Sequence, residues 1–210
     1  MLTHPRESLV MKITFTRESE RDCAIRCVCA DGTELVVRTY SRPLGLPHDL
    51  AHYIVERELG LAWGFWGLVA AGAPFASVTR CGGHTRRHHY EEGQWLIKQH
   101  RDDLTEAEAL VGVLQRIWRG NARDGWRAQR AALAGCWRRP DITLDRNQVV
   151  RVCGMLGQME AQWLSLEYGE ALTVDWPTAH DGRHRCRYPA SRRSPHVQGR
   201  RPRHSWSRRR

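Results

Sequence analysis

The chain has 210 residues, 41% of them hydrophobic and 27% charged, with seven cysteines and a formal net charge of +10. That length suits one domain, alone or with a tail, and buries a core without disulfide staples. No apolar run reaches the roughly 18 residues of a membrane-spanning helix, and the first residues lack the basic-then-apolar layout of a secretion signal, which together point to a cytoplasmic protein without a membrane partner.

Residues 1–10, MLTHPRESLV, carry no periodicity and read as a flexible N-terminus. Met11 opens MKITFTRE, which alternates like a strand with Ile13 and Phe15 on one side, so a start at Met11 would suit the domain better than one at Met1. DCAIRCVCA and TELVVRTY flank Asp31-Gly32, the strongest short-range signal of a hairpin. Three antiparallel strands are expected, roughly 11–17, 22–30 and 33–40. In the second, Cys23, Ile25, Cys27 and Cys29 share a face. An odd number of cysteines with no C-x-x-C pair fits small, buried, reduced thiols in a cytosolic protein. A thiolate metal site would need further ligands from elsewhere.

SRPLGLP breaks the chain, and Pro47 suits a helix's first turn, where its missing N–H costs nothing. Asp49 favours the positive end of the helix dipole, and Gly60 stops the helix near Leu59. LAWGFWGLVAAGA predicts a short second helix. SVTRCGGHTRRHHYEEG reads as a loop, and QWLIKQHRDDL as helical or transitional. Thr105 with Glu108 forms a capping box opening LTEAEALVGVLQRIW, where Leu110, Val113, Leu114, Ile117 and Trp118 recur at helical spacing. NARDGWRAQRAALAGCW continues helically beyond a break near Gly120. Asp145 caps a further helix through QVVRVCGMLGQMEAQWLSLEYG, with Val149, Val152, Leu156, Met159 and Trp163 on one face. Gly169 ends it, and EALTVDWP is a last short strand. The fold class is therefore α+β: a small N-terminal antiparallel sheet and a helical, bundle-like remainder in one domain over 11–177.

From Thr178 to Arg210 there are eleven arginines, a single acid, and almost no aliphatic residues. Residues 1–177 thus keep 22 of the 33 basic and 22 of the 23 acidic side chains, a net charge of zero. The basic character belongs to the tail alone. Its composition predicts a disordered tail over 178–210. Arg200, Arg201, Arg203, Arg208, Arg209 and Arg210 would bind nucleic acid without sequence preference by displacing counterions from phosphates. The same composition also results when a GC-rich gene is read past a frameshift.

Chemistry concentrates in LPHDLAHYIVERELG. At about 100° per residue, His52 lies about 40° from His48, Glu56 about 80° and Asp49 about 100°, while Leu50, Ala51, Ile54 and Val55 fall between about 200° and 340°. Histidines four apart on a helix overlie each other and can hold one divalent metal. The stretch His48-Asp49-Leu50-Ala51-His52 resembles the zinc-peptidase signature H-E-x-x-H. That resemblance covers five residues. It implies zinc on His48 and His52, with Asp49 as general base on a metal-bound water and one methylene shorter than the family's glutamate. Glu56, about 12 Å along the axis from His48, suits supporting His52 better than completing the ligand set. Glu56, His84, His88 and His89 are the candidates for a third ligand, with Cys81, Glu91 and Glu92 also in the second group's stretch. The wider segment 46–73 is similar to small bacterial proteins without an assigned activity that share an LPHDLxHYxVE-like helix.

Trp63, Phe65 and Trp66 beside glycines suit either a core or a ligand pocket. The chain has no phosphate-binding Gly-rich loop, no nucleophile-elbow serine and no G-x-G-x-x-G after a strand. The leading expectation is a noncatalytic binding or accessory protein that uses the groove beside the 48–59 helix for a protein or small ligand. The rivals are a zinc-dependent hydrolase and a nucleic-acid-associated protein acting through its tail.

Overall fold

The computed structural model describes residues 10–29, 32–39, 45–81, 87–120, 126–136 and 144–177. The expectations for the N-terminal segment before residue 10 and for the tail 178–210 fall outside them. The fold is α+β, with five strands and six helices among the described residues. The strands are β1 (Val10–Arg17), β2 (Cys23–Val28), β3 (Glu34–Val37), β4 (Val78–Cys81) and β5 (Ala171–Pro177). The helices are α1 (His48–Leu59), α2 (Phe65–Ala70), α3 (Arg87–Gln99), α4 (Arg101–Arg119), α5 (Trp126–Ala134) and α6 (Arg146–Ser165).

All strands join one antiparallel sheet in the order β4-β3-β2-β1-β5. The three N-terminal strands arise where the alternation predicts them. Gly32 at the β2–β3 turn has φ 78°, a conformation that favours glycine. The sheet is nevertheless wider than three strands, because it recruits partners from far along the sequence. β5 pairs with β1, setting Ile13 opposite Val174 and Phe15 opposite Leu172. β4 pairs with β3 from within the stretch 77–93 that reads as a loop, and α3 begins inside that same stretch. VTRC is too short, and its burial too slight, to show a strand's alternation.

One sheet face is apolar. Met11, Ile13, Phe15, Ile25 and Cys27 are fully buried there, in one core cluster with residues of α1, α2, α4 and α6, and α1, α4 and α6 pack on one another. Each such side chain contributes about 1.5–3 kcal/mol by leaving water. The opposite face carries Lys12–Asp175 at 3.1 Å and Thr14–Thr173 at 3.1 Å.

The helices that matter for the site are fixed at both ends. Pro47 precedes α1, Asp49 lies in its first turn, and Gly60 ends it at φ 65°. The chain entering α1 is held by the Leu46 amide, which donates to the Glu160 carboxylate of α6 at 3.1 Å. Tyr53 and Arg57 of α1 donate to the Asp175 carbonyl of β5 at 3.3 and 2.9 Å. At α6 the Asp145 capping box forms, with Gln148 as its partner. The Thr105–Glu108 box does not, because α4 begins earlier, at Arg101. Thr105 is therefore inside the helix and donates to the Arg101 carbonyl one turn back, at 2.8 Å. That leaves Glu108 free for other work. Among the described residues no helix is long and apolar enough to cross a membrane.

Candidate metal centre

The polar side of α1 does not face water. It faces α4, and the contact is where His48 and His52 meet Glu108. His52 is 2% exposed. Its Nε2 lies 3.2 Å from His48 Nε2 and 3.2 Å from Glu108 Oε2, while His48 Nε2 lies 3.9 Å from the same oxygen. In a tetrahedral zinc site with bonds near 2.0–2.1 Å, neighbouring donors stand about 3.3–3.4 Å apart. Two of the separations match within about 0.2 Å, and the third closes by a small turn of Glu108, whose side chain is half exposed.

The outer edges of both rings are already committed. His52 Nδ1 is 2.9 Å from Glu56 Oε1, and His48 Nδ1 is 3.3 Å from the Gln115 side-chain oxygen. A carboxylate accepts only, so the His52 proton belongs on Nδ1. With a proton on each Nδ1, both Nε2 lone pairs and a carboxylate oxygen face one another. Such a convergence of acceptors is repulsive unless a cation sits among them.

A proton or a metal ion can supply that cation. For the metal-free protein, burial alone would lower the His52 pKa, but hydrogen bonds to Glu108 and Glu56 outweigh it and hold the imidazolium up to about 9. The His48 and His52 imidazoles, 3.9 and 3.2 Å from its Oε2, hold the Glu108 carboxyl well below the usual range. A metal ion binding here takes the proton's place.

Glu56 is fully buried. Burial pushes its carboxyl up, while the His52 hydrogen bond and the Trp66 and Phe65 amides pull it down. The Phe65 amide donates to Oε1 at 2.9 Å and the Trp66 amide to Oε2 at 3.0 Å. Asp49 follows His48 on the helix and borders the same cavity of about 220 Å³ as His48, His52, Glu108, Cys23 and Phe65. Burial raises the Asp49 carboxyl above its ordinary range, against the pull of His52 and His48. Cys23 is not a thiolate: burial, with Asp49 and Glu18 adding to it, pushes its thiol up to about 12.

Among the other residues singled out from the sequence, Glu56 stands behind His52, engaged with backbone amides, rather than beside the three converging atoms. His84 lies outside the described residues, as do the side chains of His88 and His89 in α3. Cys81, Glu91 and Glu92 are exposed and lie outside the converging group. Arg200, Arg201, Arg203, Arg208, Arg209 and Arg210 are also outside the described residues. Of the three aromatics, Trp66 is core, T-shaped against Phe15 at 5.9 Å, Phe65 borders the cavity, and Trp63 stacks on His100 at 3.9 Å. Glu108 is the residue that sequence reasoning assigned to a helix cap. Its one legible signal is its place on α4, two residues before the apolar Leu110 and seven before Gln115, so that both polar groups share the helix side that meets α1.

Comparison with protein-family models, with curated proteins and with solved structures returns no significant match.

Proposed function

We propose that this protein binds one divalent cation, with zinc the best fit, through His48 Nε2, His52 Nε2 and Glu108, and uses it for hydrolysis in the adjoining cavity. The observation that carries the reading is the convergence of three acceptor atoms at close to zinc-site spacing, with each imidazole's other nitrogen already held. Two histidines and one carboxylate form a donor set that catalytic zinc sites use, with the fourth position left for water or substrate.

Zinc in such a site supplies Lewis acidity and acidifies a coordinated water. The chain's own contribution is fixed in advance. His48 and His52 are held one turn apart by α1, Glu108 reaches them from α4, and Asp49 sits beside them with a carboxyl whose raised pKa suits a general base.

The test compares zinc-loaded protein, metal-free protein and Asp49→Asn against a panel of activated esters and short peptides. Zinc-dependent turnover, lost in Asp49→Asn while zinc content is unchanged, is the expected result. Bound zinc with no turnover on any substrate overturns the hydrolase reading and returns the cavity to the noncatalytic, ligand-binding one.

A further inference from the structure

The fully buried Glu56 has no part in the converging donor group, yet it makes three polar contacts, to His52 Nδ1 and to the Phe65 and Trp66 amides. We infer that Glu56 is the positioning residue of the metal centre, and that the turn between α1 and α2 is built to aim it. This rests on the metal-binding reading and says how the site is held and charged.

Four observations converge on that side chain. It is on the same face of α1 as His52, one turn later, so its carboxylate meets the outer ring nitrogen at 2.9 Å. Its two oxygens take amide hydrogens from Phe65 and Trp66, at 2.9 and 3.0 Å, which prevents rotation. The turn is pinned from a second direction, since the Trp66 indole donates to the Asp49 carbonyl at 2.8 Å. Finally, glycine at 64 leaves the carboxylate its place. A Cβ there would collide with the Glu56 carboxyl carbon and lie 2.6 Å from Oε2. The Gly64 backbone itself has φ −73°, which any residue adopts. The glycine is required by the carboxylate and not by the turn.

Two consequences follow for the metal. A carboxylate on Nδ1 fixes the Nδ1–H tautomer of His52, so the Nε2 lone pair always points at the ion and is made more basic. Glu56 and Glu108 also bring two negative charges to a site that takes up a dication, so the loaded centre is neutral at these groups. A neutral side chain at 56 would leave the buried centre with a net positive charge.

The test measures zinc affinity by competition with a chromophoric chelator, together with the ¹⁵N shifts of the His52 ring. The proteins are the full-length chain, Glu56→Gln, Gly64→Ala and Asp145→Ala, the last being a destabilising control in the α6 cap. Wild type should bind one zinc, with His52 as the Nδ1–H tautomer. Glu56→Gln should weaken zinc about 10–100-fold and shift the His52 Nδ1 resonance of the zinc-loaded protein, because the carboxylate that accepts its proton is gone. Gly64→Ala, which touches no ligand, should move both readouts in the same direction by displacing the carboxylate, and Asp145→Ala should move neither. If Glu56→Gln proves poorly folded, Gly64→Ala carries the comparison, because its backbone conformation is an ordinary one for alanine. Wild-type affinity and His52 ring shifts in Glu56→Gln or in folded Gly64→Ala would overturn the positioning role while leaving the metal site standing. Failure of the wild type itself to bind zinc would overturn both.

Discussion

Replacing Glu108 by glutamine keeps the side-chain volume and removes one of three charged or basic donors from the centre. Zinc at a hundred times its dissociation constant stabilises the native state by about 2.7 kcal/mol. For a chain of this size each kcal/mol moves Tm by about 2–4 °C, so wild-type protein should gain about 5–11 °C. A neutral amide oxygen is a far weaker ligand than a carboxylate. Weakening at the upper end of what a lost supporting contact costs, about 100-fold, brings the same zinc concentration to the dissociation constant. The gain then shrinks to about 0.4 kcal/mol, or about 1–2 °C. In the absence of metal the substitution should cost little, about 0–1 kcal/mol, because the Glu108 side chain is half exposed and its ion pairs are screened. Differential scanning fluorimetry of tag-free protein, with zinc and with chelator, separates the two effects. A zinc-dependent rise in Glu108→Gln equal to that of wild type would refute the assignment of Glu108 as a ligand.

Phe15→Ala should cost about 3–5 kcal/mol in chemical denaturation, since the ring is fully buried against Trp66 and leaves a cavity between sheet and helices; a loss under about 1 kcal/mol would contradict that packing. Asp145→Ala removes the carboxylate that accepts from the Gln148 amide in the α6 capping box and should cost about 0.5–2 kcal/mol, read the same way. Burial pushes the thiols of Cys23 and Cys27 up to about 12, so iodoacetamide at pH 8 should label exposed Cys81 and leave these two until the protein is unfolded. The sign for stability follows: unfolded thiols ionise near 9, so these groups favour the native state below that pH and lose their contribution as pH climbs toward 12. Equal labelling rates for Cys23 and Cys81 in the native protein would contradict the burial.

What the sequence makes legible follows from local rules. Alternation around Asp31-Gly32 specifies β1 to β3, because a period of two and a tight turn are both local. Pro47, Asp49 and Gly60 mark α1 at both ends, and Asp145 marks the start of α6. Long-range pairing is not legible. β5 joins β1 across more than 150 residues, and nothing in ALTVDWP says which edge it takes. The site divides the same way. Two imidazoles and Glu56 on one side of α1 follow from helical spacing alone, and so does the idea that Glu56 supports His52. That this side is buried, with His52 at 2% and Glu56 at 0% exposure, does not follow, because a polar stripe ordinarily marks the solvent side of a helix. Glu108 illustrates the remaining gap. Three residues after a threonine it satisfies the capping-box pattern, and only the earlier start of α4, at Arg101, releases it to face α1. The packing of α4 on α1 makes it a partner of two histidines more than fifty residues away, and that packing is a property of the whole core.

The centre itself is tested most directly by anomalous diffraction at the zinc absorption edge, from crystals of tag-free protein grown with one equivalent of zinc. The expected map holds one strong peak between α1 and α4, about 2.0–2.2 Å from His48 Nε2, His52 Nε2 and a Glu108 oxygen. A map with no peak there, or with zinc held instead by side chains elsewhere on the surface, would contradict it.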